Sequence, residues 1–217
     1  ILGCIPKREA PTDCMLSCKY ADLAALPQGA CVGTSSLRRQ AQLLALRPDL
    51  RIESLRGNVD TRLRKLREGV YDAIILASAG MNRLGLSAPY MHALDPQTFL
   101  PAVGQGAIGI ECREDDYDLF ALLAEIEDTP TRVCVEAERG FLAGLEGGCQ
   151  VPIAGHARLE DDETFVLEGL VAEVDGSLIL REAQRGHTSK ARQIGLELAE
   201  TLLARGGRAI LEKLYQQ

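Results

Sequence analysis

Seven residues in mid-chain, Tyr71-Asp72-Ala73-Ile74-Ile75-Leu76-Ala77, restrict the fold more than any other stretch. Apart from Asp72 the run is apolar at successive positions rather than alternate ones, which suits a strand covered on both faces. Helical segments stand on either side. The charged, amphipathic stretch Asp60 to Glu68 stops before Gly69, and another helix follows from Ala79 to Leu84. The alternation continues upstream: Ala30-Cys31-Val32 reads as a short strand, and Arg51 to Leu55 alternates as a strand does. Between them Leu37, Ala41, Leu44 and Leu46 fall on one side of a helix that Pro48 ends. The first thirty residues read as a strand, an irregular stretch around Pro11 and a short helix from Ala21 to Leu26. Residues 12–100 are therefore expected to form an open, mostly parallel α/β domain.

Downstream the pattern changes. Ile108 to Cys112 reads as a strand, Leu119 to Ile126 and Thr131 to Leu142 as helices. Phe165 to Val174 and Leu178 to Gln184 read as strands joined at Asp175-Gly176, a pair that favours a hairpin. The last helix runs from about Ser189 to Leu203, with Ile194, Leu198, Thr201 and Leu202 inward. These elements predict a smaller α+β domain over 129–217, with 101–128 as crossover. Only 4% of the residues are aromatic and none is Trp, so the cores must be built from Leu, Ile, Val and Ala. No apolar run approaches the roughly 20 residues that cross a bilayer. The start, Ile1-Leu2-Gly3-Cys4-Ile5, has no signal layout and reads as the middle of a strand, so a preceding part is expected.

The net charge of −7 opposes nucleic-acid binding, but its distribution is uneven. Between Gly33 and Arg67 nine basic residues face three acids, a local +6 that leaves −13 on the rest. This suggests either a site for a small polyanion or a solvated helix face. The seven cysteines fail the spacing of zinc sites and read as reduced cytosolic thiols.

Two strand-to-helix turns carry the anion-binding signal. In Gly33-Thr34-Ser35-Ser36-Leu37-Arg38-Arg39 the helix start offers hydroxyls and free amides. Two arginines in the first turn oppose the helix dipole unless an anion compensates them; ordinary serine capping with two solvated arginines is the bland alternative. In Arg56-Gly57-Asn58-Val59-Asp60-Thr61-Arg62, Arg56 and Arg62 could reach the same crevice, at the strand ends where open α/β sheets bind ligands. Arg64, Lys65 and Arg67 read as the wet face of that helix. Several guanidinium groups on one cleft imply a ligand with several carboxylates. Finally Glu146-Gly147-Gly148-Cys149-Gln150 places a cysteine beside two glycines, on a loop that could expose a nucleophilic sulfur or merely an incidental one.

Those two turns, the strand Tyr71–Ala77, Leu100-Pro101-Ala102-Val103-Gly104-Gln105-Gly106-Ala107 and Leu145-Glu146-Gly147-Gly148-Cys149-Gln150-Val151-Pro152 together resemble the porphobilinogen deaminase (hydroxymethylbilane synthase) family, in order and over nearly the whole chain. The resemblance implies three domains, two of them like periplasmic binding proteins. Residues 12–100 would be the second domain and 129–217 the third, with 1–11 and 101–128 as remnants of the first and crossover segments. It implies a monomeric cytoplasmic transferase of porphyrin and haem biosynthesis, acting on porphobilinogen, with neither nucleic acid nor membrane as partner. Four porphobilinogens would be joined head to tail with loss of ammonia on a dipyrromethane cofactor, and hydrolysis would release hydroxymethylbilane. The cofactor would be held by a thioether to Cys149, with Thr34, Ser35, Ser36, Arg38, Arg39, Arg56 and Gly57 around it, and Arg62, Arg83 and Gln105 on the substrate. Arg139 matches a family arginine near the cofactor. The family's catalytic aspartate lies in a Lys-Asp-containing motif that this sequence lacks, so no catalytic acid is assigned and the chain alone is expected to have little or no activity; an inactive polycarboxylate-binding fragment is the alternative.

Overall fold

The computed structural model describes residues 1–146 and 151–215. Ten strands and seven α-helices are found among them: β1 (Leu2–Cys4), β2 (Asp13–Ser17), β3 (Cys31–Gly33), α1 (Leu37–Leu46), β4 (Arg51–Glu53), α2 (Val59–Arg67), β5 (Ala73–Ala77), α3 (Ser78–Leu84), β6 (Tyr90–Ala93), β7 (Ile110–Glu111), α4 (Tyr117–Ala124), α5 (Thr129–Gly144), β8 (Ile153–Leu159), β9 (Thr164–Ala172), β10 (Ile179–His187), α6 (Ala191–Leu202) and α7 (Arg208–Tyr215).

Five strands form the first large sheet in the order β4-β3-β5-β2-β6. Val32, Ile74, Ile75 and Met15 are fully buried at its centre, as an apolar run covered on two faces requires. One face packs Leu55, Leu63, Leu66 and Met81, the other Leu43, Leu50, Leu94 and Phe99. The sheet is less parallel than the sequence predicts. β3 runs parallel to β4 and β5, whereas β2 is antiparallel to both β5 and β6. β2, the strand that runs against the others, and its edge neighbour β6 both escape the sequence pattern, β2 because it follows Pro11 and β6 because all four of its residues are exposed. Ala21 to Leu26, read as a helix, is a series of turns.

The second large sheet is antiparallel, in the order β10-β9-β8. Phe141 of α5, Leu198 and Leu202 of α6 and Phe165 and Leu167 of β9 build the core on one face. Thr201, expected inward on α6, is exposed. On the opposite face Ala154, Leu170 and Ala172 meet Ala41 of α1 and Leu100, so the two sheets share a small apolar seam through α1. The hairpin tip between β9 and β10 closes that seam: Gly176, at φ +73°, sits so near α1 that a Cβ there would lie 2.5 Å from the Ala45 amide nitrogen. β1 and β7 pair as a separate two-stranded ribbon against α4. No described helix is long and apolar enough to cross a membrane.

Candidate functional site

Where the segment after Phe99 passes between α1 and α5, it borders a cavity of about 370 Å³. Ser35, Ser36, Arg38 and Arg39 line it from the start of α1, Arg62 from α2, Gln105 from the connecting segment, and Val151 and Ile153 from the start of β8. The local structure follows from the sequence. Ser36 caps α1 by accepting from the Arg39 amide, and Asn58 caps α2 by accepting from Thr61 at 2.9 Å. Both helices therefore start at the same end of the sheet, which points their positive poles and their arginines toward the cavity.

The two arginines in the first turn of α1 already have an anion. It is Asp13, the first residue of β2, fully buried. Arg38 donates to its two carboxylate oxygens at 2.6 and 3.2 Å, and Arg39 Nε donates to it at 2.9 Å. Burial alone would raise the Asp13 carboxyl, but Arg38 and Arg39 together hold it below the ordinary range. Arg38 also donates to the Leu100 carbonyl and to Gln105 Oε1, so its guanidinium is spent inside the protein at 4% exposure. Gln105 is equally committed: its amide nitrogen donates to the Pro11 carbonyl and to Asp13 at 3.1 Å. Thr34 is buried and its hydroxyl accepts from the Ser36 amide, a local turn contact.

What remains for a ligand is narrower than the expected set. Arg39 keeps 12% of its side chain exposed. Arg62 donates only to the Gly57 carbonyl and has no carboxylate partner among the described residues. Ser35 and Ser36 supply hydroxyls at the helix start. Three guanidinium groups against one carboxylate leave the cavity wall with an excess of two positive charges. That donor set fits a ligand bearing carboxylates. Gly57 lies in an adjoining cavity of about 540 Å³ that shares Arg39 and Arg62. Arg139 lines a third, of about 450 Å³, which shares Val103 and Leu142 with the first. Arg56 is exposed and borders none of these cavities, while Arg83 donates to the Gly106 carbonyl at 2.7 Å. Cys149 lies outside the described residues. Val151, two positions further on, lines the arginine cavity.

A second buried carboxylate escaped the sequence reading. Glu138 of α5 is fully buried and takes both nitrogens of Arg8 at 2.6 and 3.1 Å, the Gly104 amide at 2.6 Å and the Ala157 amide at 2.8 Å. Burial would raise its carboxyl; His156 at 3.4 Å, Arg8 and the Ala157 amide outweigh that and lower it. Arg8 Nε also donates to the Gln105 carbonyl, so Gln105 touches both buried clusters. Among the other cysteines, burial pushes the Cys14 and Cys134 thiols up to about 11, which leaves them inert. No group of metal-binding side chains is found among the described residues.

Comparison with known proteins decides the family. Residues 1–121 match the model of the porphobilinogen deaminase dipyrromethane cofactor binding domain, and residues 132–204 that of the porphobilinogen deaminase C-terminal domain. The chain belongs to the porphobilinogen deaminase family. It is 63% identical to the porphobilinogen deaminase of Nitratidesulfovibrio vulgaris, over 99% of this chain and 68% of the relative. With that of Maridesulfovibrio salexigens the identity is 56%, over 100% of this chain and 70% of the relative. An arginine-specific periplasmic binding protein of Salmonella typhimurium overlaps 58% of this chain and 57% of its own at 16% identity, with a TM-score of 0.37. Membership makes this a transferase family of tetrapyrrole biosynthesis that uses a dipyrromethane cofactor.

Proposed function

We propose that the arginine cavity receives the pyrrole carboxylates of the cofactor and of porphobilinogen during tetrapyrrole assembly, and that Cys149 is the covalent anchor. The observation that carries this reading is the sharing of one cavity wall by Arg39 and Arg62 with Val151 and Ile153, the described residues just after Cys149. When bound, the dipyrromethane supplies a primer end to which porphobilinogen units are joined with loss of ammonia. The chain's own residues bind and orient: Arg39 and Arg62 pair with carboxylates, and Ser35, Ser36 and the α1 amides add hydrogen bonds. Arg139 offers a further guanidinium in the adjoining cavity, which Glu146 also lines. Asp13 is buried and ion-paired, so it is not assigned the catalytic role. Residues 12–100 and 129–217 act as two domains bordering the cavity, with 1–11 and 101–128 as remnants of a first domain and crossover segments.

The reading carries with it a cytoplasmic, monomeric protein. Nucleic acid is disfavoured by the net charge of −7, and two acids from outside the +6 stretch offset part of it, Asp13 on Arg38 and Arg39 and Glu68 on Arg64. Titration with porphobilinogen tests the assignment. Arg62→Ala is expected to weaken binding by about tenfold, the loss of one charge-assisted contact, while the exposed Arg67→Ala binds as the parent does. Equal affinity in all three proteins would contradict it.

A further inference from the structure

We propose that Asp13 is a positioning residue for the arginine cavity: an internal counter-anion that holds the Arg39 guanidinium at the cavity wall, with Arg38 clamping it from the other side. The inference rests on the carboxylate-binding reading above and deepens it. Asp13 is fully buried, and its two oxygens accept from Arg38, Arg39 and the Gln105 amide. Arg38 reaches it from behind, its side chain 5% exposed, and its Nη1 and Nη2 donate also to the Leu100 carbonyl and Gln105. Arg39 approaches from the open side, anchored by Asp13 through Nε and Nη2 and by the Ile75 carbonyl through Nη1.

Without Asp13, two adjacent guanidinium groups and Arg62 would repel one another at one end of the sheet; the like charge of Arg39 is already felt at Arg62, second to burial. Fixing Arg39 in advance spares a ligand carboxylate the cost of ordering a long side chain. Arg38 and Arg39 are adjacent in sequence but divide the work. The inner one closes around Asp13, whose single charge offsets one of the two, and the outer one, held at its cavity-side position, is offered to the ligand.

A double-mutant cycle on porphobilinogen affinity, with the unfolding temperature measured alongside, tests the proposal. Asp13→Asn is expected to weaken binding about tenfold when Arg39 is present and to have no further effect in the Arg39→Ala background. The replacement Asp13→Asn/Arg38→Gln, which removes both buried charges together, should fold and show the same dependence on Arg39. Parent-like affinity in Asp13→Asn or in the paired replacement, or an equal loss with and without Arg39, would overturn it. Failure of the underlying site reading shows separately, as an absence of porphobilinogen binding by the parent chain, and overturns both.

Discussion

At the residue scale the chain invests in two buried carboxylates, each wrapped by guanidinium and amide donors. Glu138 accepts from one arginine and two backbone amides on three different segments, so removing its charge strands Arg8 in the interior. Glu138→Gln is expected to destabilise the fold by about 3–5 kcal/mol, the range for breaking one side of a buried pair, as read from denaturant midpoints. The same carboxylates set the response to acid. Both Asp13 and Glu138 are held below their ordinary range in the folded state. Their stabilisation is therefore complete above about pH 4, the unfolded value, and is lost as pH falls through the folded values. Denaturant midpoints recorded from pH 7 to pH 3 should fall for the parent and fall less steeply for Glu138→Gln; parallel curves would contradict the assignment.

Among elements, α5 and α6 cross backbone to backbone. Gly140 of α5 and Gly195 of α6 face each other's backbone, and a Cβ on either would run into the carbonyl of Arg192 or of Ala137. Gly140→Ala must push the helices apart, at an expected cost of about 1–3 kcal/mol from overpacking, despite its gain in helix propensity. A measured stabilisation would show that the crossing can relax. What could be read from the sequence follows from range. The α1 start, β5 and the β9–β10 turn announce themselves through adjacent residues: Ser36 before Leu37, a continuous apolar run, and Asp175-Gly176; α2, read from Asp60, begins one residue earlier at Val59 under an Asn58 cap. β8 does not, because in its small and mixed run Ala154-Gly155-His156-Ala157 the residues Ala154, Gly155 and Ala157 are buried by Phe141 and the α1 seam rather than by any local pattern. The partner of Asp13 is 25 positions away and that of Glu138 is 130, so each acid reads locally as an ordinary charge. The first-turn arginines did signal an anion; the structure supplies one from within the protein before any ligand arrives.

Over the whole molecule, the two sheets meet through α1, the segment 99–105 and Gln105, which touches both buried carboxylate clusters. The cavity lies at that meeting place, with its positive wall on the first sheet and the residues that follow Cys149 on the second. The intact mass of the purified chain, compared with Cys149→Ser, tests this account most directly. The account predicts an added mass equal to two condensed pyrroles on the parent chain, absent from the serine variant. An unmodified parent, or the same added mass on Cys149→Ser, would contradict it.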